Sequence, residues 1–185
     1  ITLFVGVISV GIAILIGTPL GILDGIRGGW IEEVIMRTSD IALAFPALLL
    51  AIMFSAIFGA STMTAMVAIG ISTVPGFARV ARSGTLQVMG TEYVLAARAA
   101  SQSRFRIALR HVLPNIIGIV VVQCSVSFSL AVLAEAGLSF LGLGTPPPPP
   151  SWGRMLQESQ QFLGTEPMLA VWPGLAIAIA VMGFN

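Results

Sequence analysis

Few side chains in this sequence are equipped for chemistry, and those few are not grouped for catalysis. The single histidine, His111, has no cysteine, histidine or carboxylate companion at metal-ligand spacing, and its place beside an apolar run suits a helix end at a membrane edge. Cys124 stands alone inside an apolar run, which excludes a disulfide framework and fits a small buried hydrophobe. No GxxxxGKS/T stretch is present, so the chain supplies no phosphate cradle of its own. A membrane protease or other membrane enzyme needs a nucleophile and a base placed in spans, and no histidine falls inside one. What remains is a set of isolated polar residues in apolar surroundings. Gln123 with Ser127, and Ser125 with Ser129, stand four apart and form polar patches on neighbouring faces of one helix. Such groups face a bundle interior or a water-filled path, so helix-to-helix hydrogen bonding and pore lining both fit. Asp40, at the start of an apolar run, suits a helix cap.

The elements that must carry these residues are set by composition. Of 185 residues, 56% are hydrophobic and 9% charged, and the mean hydropathy is +0.98. An ordinary soluble domain is about a quarter charged. That much apolar surface needs a second apolar solvent, and lipid supplies it. The net charge is +1 and no acidic or basic tail exists, so nothing here builds a field for nucleic acid.

A crossing needs about 20 mostly apolar residues. Five windows meet or approach this: about 1–22, 41–59, 62–80, 114–136 and 168–184. The fold class expected is therefore all-α, a polytopic transmembrane helical bundle in one domain over 1–185. Arg27 and Arg37 lie between the first two windows. Arg79, Arg82, Arg98, Arg104, Arg106 and Arg110 lie around the gap between the third and fourth, while Arg154 alone follows the fourth. Eight of the nine arginines so fall on one side, which the positive-inside rule makes cytoplasmic. That orientation puts Ile1 outside and Asn185 inside. An ion-driven transporter working alone would show paired acidic residues deep in its spans and an inverted repeat, and neither is visible. Gly17, Gly21 and Gly25 repeat a GxxxG spacing that lets backbones approach closely. Pro46 and Pro75 should kink their helices.

The stretch 82–113 is a long internal loop and is not disordered by composition. Thr91 is placed to cap a helix, and Glu92 suits its positive end. Tyr93, Ala96, Ala97 and Ala100 then follow i, i+3, i+4, i+7 spacing and make one smooth face. Ser103 can cap a second short helix over 104–112, with Phe105 and Leu109 four apart, and Pro114 should end it. A small-faced helix at a membrane surface fits docking into a partner's groove and equally fits resting on lipid. Beyond the fourth window, the prolines at 146–150 predict an extended rod of about 15 Å, at about 3.1 Å per residue.

The stretch EYVLAARAASQSRFRIALRHVLPN resembles the EAA loop of binding-protein-dependent ABC permeases. That pattern is Glu-Ala-Ala, three residues, Gly, nine residues, then Ile-x-Leu-Pro. Here Ala96, Ala97, Leu113 and Pro114 match without gaps, while Leu95, Ser101 and His111 replace the glutamate, glycine and isoleucine. A left-handed residue at the turn costs serine more than glycine. DIALAFPALLLA, VPGFARVARSGTL, AEAGLSFLGLG, PSWGRML and WPGLAIAIAVMGFN are similar to segments of the peptide and nickel branch of the same family.

The resemblance implies the type I permease fold of an ABC importer in the bacterial inner membrane, with further sequence before Ile1 and after Asn185. It implies a cytoplasmic coupling helix seated in a cleft of an ATP-hydrolysing subunit. Tyr93, Ala96, Ala97 and Ala100 would form its packed face, with Glu92, Ser101, Arg98 and Arg104 around it. The implied partners are a second homologous permease subunit, two ATP-binding subunits that carry ATP and magnesium, and an extracytoplasmic substrate-binding protein. The chain itself would hold no cofactor and catalyse nothing. Trp152 and Met155, in the outer loop 137–167, would help to receive the binding protein. Gln123, Ser127 and Glu135 are the residues offered for a translocation path. Glu135, the costliest to place in lipid, would contact either substrate or an arginine of the partner permease. Short peptides are the substrate expected, with nickel or another small solute as the alternative.

Overall fold

The computed structural model describes residues 1–184, and each regular element in it is a helix. The placement of Asn185 on the inner side lies outside the described residues. In chain order the helices are α1 (Thr2–Arg27), α2 (Gly29–Ala44), α3 (Ala47–Phe58), α4 (Thr62–Met89), α5 (Glu92–Ala99), α6 (Arg104–Ile107), α7 (Leu113–Phe140), α8 (Trp152–Ser159) and α9 (Met168–Phe184). A π turn, Ala108–Val112, joins α6 to α7.

Among the described residues, three helices are long and apolar enough to cross a membrane: Thr2–Arg27, Thr62–Met89 and the continuous Arg104–Phe140. A fourth crossing is reached if α2 and α3 count together, although they are bent by 85° at their junction. The single helix expected over 41–59 is therefore replaced by two. The cause is Pro46, which pushes Phe45 out of helical geometry and begins α3 on the far side of the break. Gly59, at φ +85°, then closes α3 in a conformation open to glycine. Pro75, by contrast, is carried inside an unbroken α4. That helix also continues to Met89, so the first eight residues of the expected loop 82–113 are helical.

The chain divides into two compact units. One comprises 1–12, 45–73 and 125–184. Its core holds Val5, Ala51, Ala65, Val132 and Leu138. Serine hydroxyls tie its helices together: Ser9 donates to the carbonyl of Met66 (3.0 Å), Ser55 to Leu143 (3.1 Å) and Ser129 to Val181 (3.1 Å). Gly153 of α8 sits where an added Cβ would meet the Ala136 carbonyl at 2.2 Å, so α8 lies directly on the end of α7. The expected proline rod is bent instead and contains a cis bond between Pro147 and Pro148. Its ends are held by the buried Thr145, whose amide donates to Ser139 Oγ, and by the buried Ser151.

The other unit comprises 13–44 and 74–124. Here the glycine spacing does what it predicts. Cβ atoms built on Gly17, Gly21 and Gly25 would fall 2.6 Å from the Val74 carbonyl, 2.2 Å from the Ala78 carbonyl and 2.7 Å from Thr85 Cβ. The C-terminal half of α1 thus lies backbone to backbone against α4.

Candidate functional site

The short helix α5 is built as the sequence suggests at both ends, with one change of partner. Thr91 stands in the N-cap position, at φ −79° and ψ 150°, but its hydroxyl donates back to the Val88 carbonyl (2.6 Å) rather than capping α5. At the other end the amide of Gln102 donates to Ala97 (3.1 Å) and the amide of Ser101 to Arg98 (2.9 Å), which together form a Schellman motif. Ser101 occupies the left-handed position at φ +57° and is the only non-glycine residue with positive φ among the described residues. The turn is as tight as a glycine would make it, and serine bears the steric cost.

Ser103 then caps α6, its Oγ accepting from the Arg106 amide at 3.3 Å. The second helix does not stop at Pro114. Leu113 keeps helical dihedrals, φ −53° and ψ −47°, and its amide donates five residues back to Ala108. This widened turn replaces the α turn whose carbonyl the proline ring would strike, so the helix passes through into α7. The result is one rod of 37 residues from Arg104 to Phe140. His111 is accordingly inside a helix rather than at its end, and its Nε2 is buried with no hydrogen-bond partner among the described residues.

Burial sorts the α5 residues. Val94 is fully buried and Ala97 nearly so, anchoring the helix to its own unit. Glu92, Tyr93, Leu95, Ala96, Arg98 and Ala100 are exposed, as are Ser101 and Arg104. The smooth face read from the spacing is therefore divided: Ala97 looks inward, while Tyr93, Ala96 and Ala100 remain available. Two further contacts bind α5 to its neighbours. Arg98 Nη2 lies 4.0 Å from Met89 Sδ at the end of α4, and the Tyr93 ring lies 5.9 Å from that of His111.

The residues offered for a path are not brought together in the open. Ser127 and Glu135 are buried in their own unit, at 2% and 0% exposure, and Gln123 is half-buried. Glu135 accepts from Ser139 Oγ at 2.6 Å, and Ser139 in turn accepts from the Thr145 amide, so one carboxylate oxygen is spent on holding the loop after α7. Trp152 and Met155 share a hollow of about 270 Å³ with Thr2, Pro150 and Ser151, and the Trp152 amide donates to Thr2 Oγ1 at 3.2 Å. Ser151 caps α8 by accepting from the Arg154 amide.

One cluster escaped sequence reasoning. Arg82, placed by sequence in a loop, lies in α4, with its Nε 2.9 Å from the fully buried carboxylate of Asp24 on α1. The angle at this contact does not make a hydrogen bond, so the pairing is one of charge alone. Glu32 of α2 holds the other end of the same guanidinium. Asp40, expected as a cap, is inside α2 and pairs with Arg79 of α4. The available signal was Asp24 itself, a carboxylate embedded in an apolar helix, which calls for a cation from a neighbour.

Comparison with known proteins adds the following. The family described as "Binding-protein-dependent transport system inner membrane component" matches residues 17–185. The dipeptide transport system permease protein DppC of Alkalihalophilus pseudofirmus is 42% identical over the whole of this chain and 61% of its own length. The glutathione transport system permease protein GsiD of Pectobacterium atrosepticum is 40% identical over the whole chain and 62% of its own length. The chain thus spans about three fifths of these curated relatives. Among solved structures, an inward-facing form of the MetNI methionine ABC transporter matches 99% of this chain and 87% of its own, with a TM-score of 0.79 at 18% identity, which establishes a shared fold.

Proposed function

This chain belongs to the family of inner membrane components of binding-protein-dependent transport systems, and from that premise we propose that it is a permease subunit of an ATP-driven importer of short peptides. Relatives named for dipeptide and glutathione transport support the peptide class. In this reading the chain crosses a bacterial plasma membrane five times: by α1, by the bent pair α2 and α3, by α4, by the rod 104–140, and by α9. The last has 17 residues and reaches about 25 Å at about 1.5 Å per residue, the short end of a crossing. The arginine-rich side is cytoplasmic.

The observation that carries the coupling role is the joint at Ser101. A short helix with an exposed face of Tyr93, Ala96 and Ala100 is joined by a tight turn to a helix that is continuous to Phe140. Displacement of α5 by a closing ATPase would pass through this turn, through the Tyr93 contact with His111, and through the buried Val94 and Ala97. Glu92 and Arg98 would make the polar contacts around the docked face, with Arg104 at its edge. ATP and magnesium would be bound by two separate ATP-binding subunits. A second homologous permease subunit would complete the pathway, to which this chain would contribute Gln123, Ser127 and Glu135. A substrate-binding protein would be received at the outer side by Trp152 and Met155.

The test is dipeptide uptake by the full-length protein, reconstituted in vesicles with its partner subunits and binding protein. Ala96→Trp, on the exposed face, should lower uptake about tenfold, because overpacking a close contact costs about 1–3 kcal/mol. Unchanged uptake in that variant would remove the coupling role, and wild-type uptake without ATP would remove the whole reading.

A further inference from the structure

Between α1 and the start of the helix 104–140, the second unit carries a groove of about 420 Å³, inside the range of about 300–1,000 Å³ typical of small-molecule sites. Its walls include Leu23 and Ile26 of α1, Phe105 of α6 and Leu109 of the π turn, and two arginines, Arg27 and Arg104, also line it. Phe105 is 74% exposed and Leu109 51%. Arg37, Arg79, Arg82 and Arg154 each have a carboxylate partner, whereas neither Arg27 nor Arg104 has one among the described residues.

We propose that this groove binds one anionic phospholipid, its acyl chain along the apolar wall and its phosphate held by Arg27 and Arg104. Charge and polarity select this occupant together. A soluble phosphate would use the guanidiniums and leave the apolar body empty, and a neutral lipid would do the reverse. An amphiphile of negative charge uses both. The arginine distribution places the groove at the cytoplasmic leaflet, where anionic lipids reside. The proposal rests on that placement but not on peptide transport.

The experiment is native mass spectrometry of the full-length permease with its partner subunits, titrated with dioleoyl phosphatidylglycerol or dioleoyl phosphatidylcholine. The wild type should retain phosphatidylglycerol in preference. Arg27→Gln with Arg104→Gln should weaken it roughly 30-fold, from about fivefold per arginine. Ala108→Trp, which fills the groove without removing charge, should weaken it as well. Arg106→Gln with Arg110→Gln removes the same charge outside the groove and should keep it. Equal retention of the two lipids overturns the proposal, as does equal loss in both double variants. Retention that no groove variant changes also overturns it, and would indicate that a protein segment fills the space. Lipid retention is read without ATP or peptide, so a failure here leaves the transport reading standing, and the converse.

Discussion

The phenol ring of Tyr93 stands 5.9 Å from the imidazole of His111, with the two planes tilted by 47°. Tyr93 is on the exposed short helix and His111 is in the π turn of the long rod, so this contact bridges the two elements that the Ser101 turn joins covalently. Such ring pairs are worth about 0.5–1.5 kcal/mol beyond their buried area.

If α5 couples to an ATPase in a peptide importer as proposed, and that bridge transmits motion, Tyr93→Ala should reduce the peptide moved per ATP hydrolysed while hydrolysis itself continues. In thermal unfolding of the detergent-solubilised complex, Tyr93→Ala and His111→Ala together should fall short of their sum by about 0.5–1.5 kcal/mol. Strict additivity, with an unchanged transport ratio, would show the contact to be idle.

At Ser101 the backbone is left-handed at φ +57°. A side chain there costs about 1–2 kcal/mol, against about 0.5–1 kcal/mol of extra chain entropy lost by glycine. Ser101→Gly should therefore stabilise the protein by roughly 0.5–1 kcal/mol, and Ser101→Val should destabilise it. Melting temperatures of the two variants on either side of the wild type would bear this out. A lower value for Ser101→Gly would contradict it.

How much of this was legible beforehand depended on whether the signal was local. The cap at Ser103 and the glycine stripe of α1 are each set by a few consecutive residues and could be read. The turn at Ser101 could be placed through the family pattern, and Pro46 signalled a kink but not the 85° break that divides the expected helix 41–59. The rod 104–140 could not, because Pro114 reads as a stop until the π turn that accommodates it is seen. The pairs of Arg82 with Asp24 and of Arg79 with Asp40 join residues 58 and 39 apart in the chain, and only packing could select them. Likewise, spacing placed Ala97 on the same face as Tyr93 but could not say which part of that face the chain would cover itself.

The close approach of α1 to α4 gives a contrast within one helix. An added Cβ at Gly21 would meet the Ala78 carbonyl at 2.2 Å, whereas one at Gly11 meets nothing within 4 Å. Gly21→Ala should cost about 1–3 kcal/mol by overpacking, and Gly11→Ala should be neutral or mildly stabilising. Equal melting temperatures for the two would show that the glycine stripe does not set the helix spacing.

The cluster at Arg82 gives the sharpest test, because its parts respond in opposite directions. Asp24 is fully buried on α1, Arg82 is about 29% exposed on α4, and Glu32 on α2 is about 37% exposed. Removing the cation alone, as in Arg82→Met, leaves the Asp24 carboxylate buried and uncompensated and should cost about 3–5 kcal/mol. Asp24→Leu is milder, because Arg82 keeps Glu32 and reaches water. In Asp24→Leu with Arg82→Met the buried charge is gone, Glu32 is free to be solvated, and apolar side chains fill the space. That double variant should then be more stable than Arg82→Met alone and close to the wild type, since replacing a buried pair by apolar residues is often neutral or stabilising. The measurement is thermal unfolding of the four proteins in one detergent. A double variant less stable than Arg82→Met would mean that the charges stabilise the contact of α1 with α4 outright, and the desolvation argument for this site would fall.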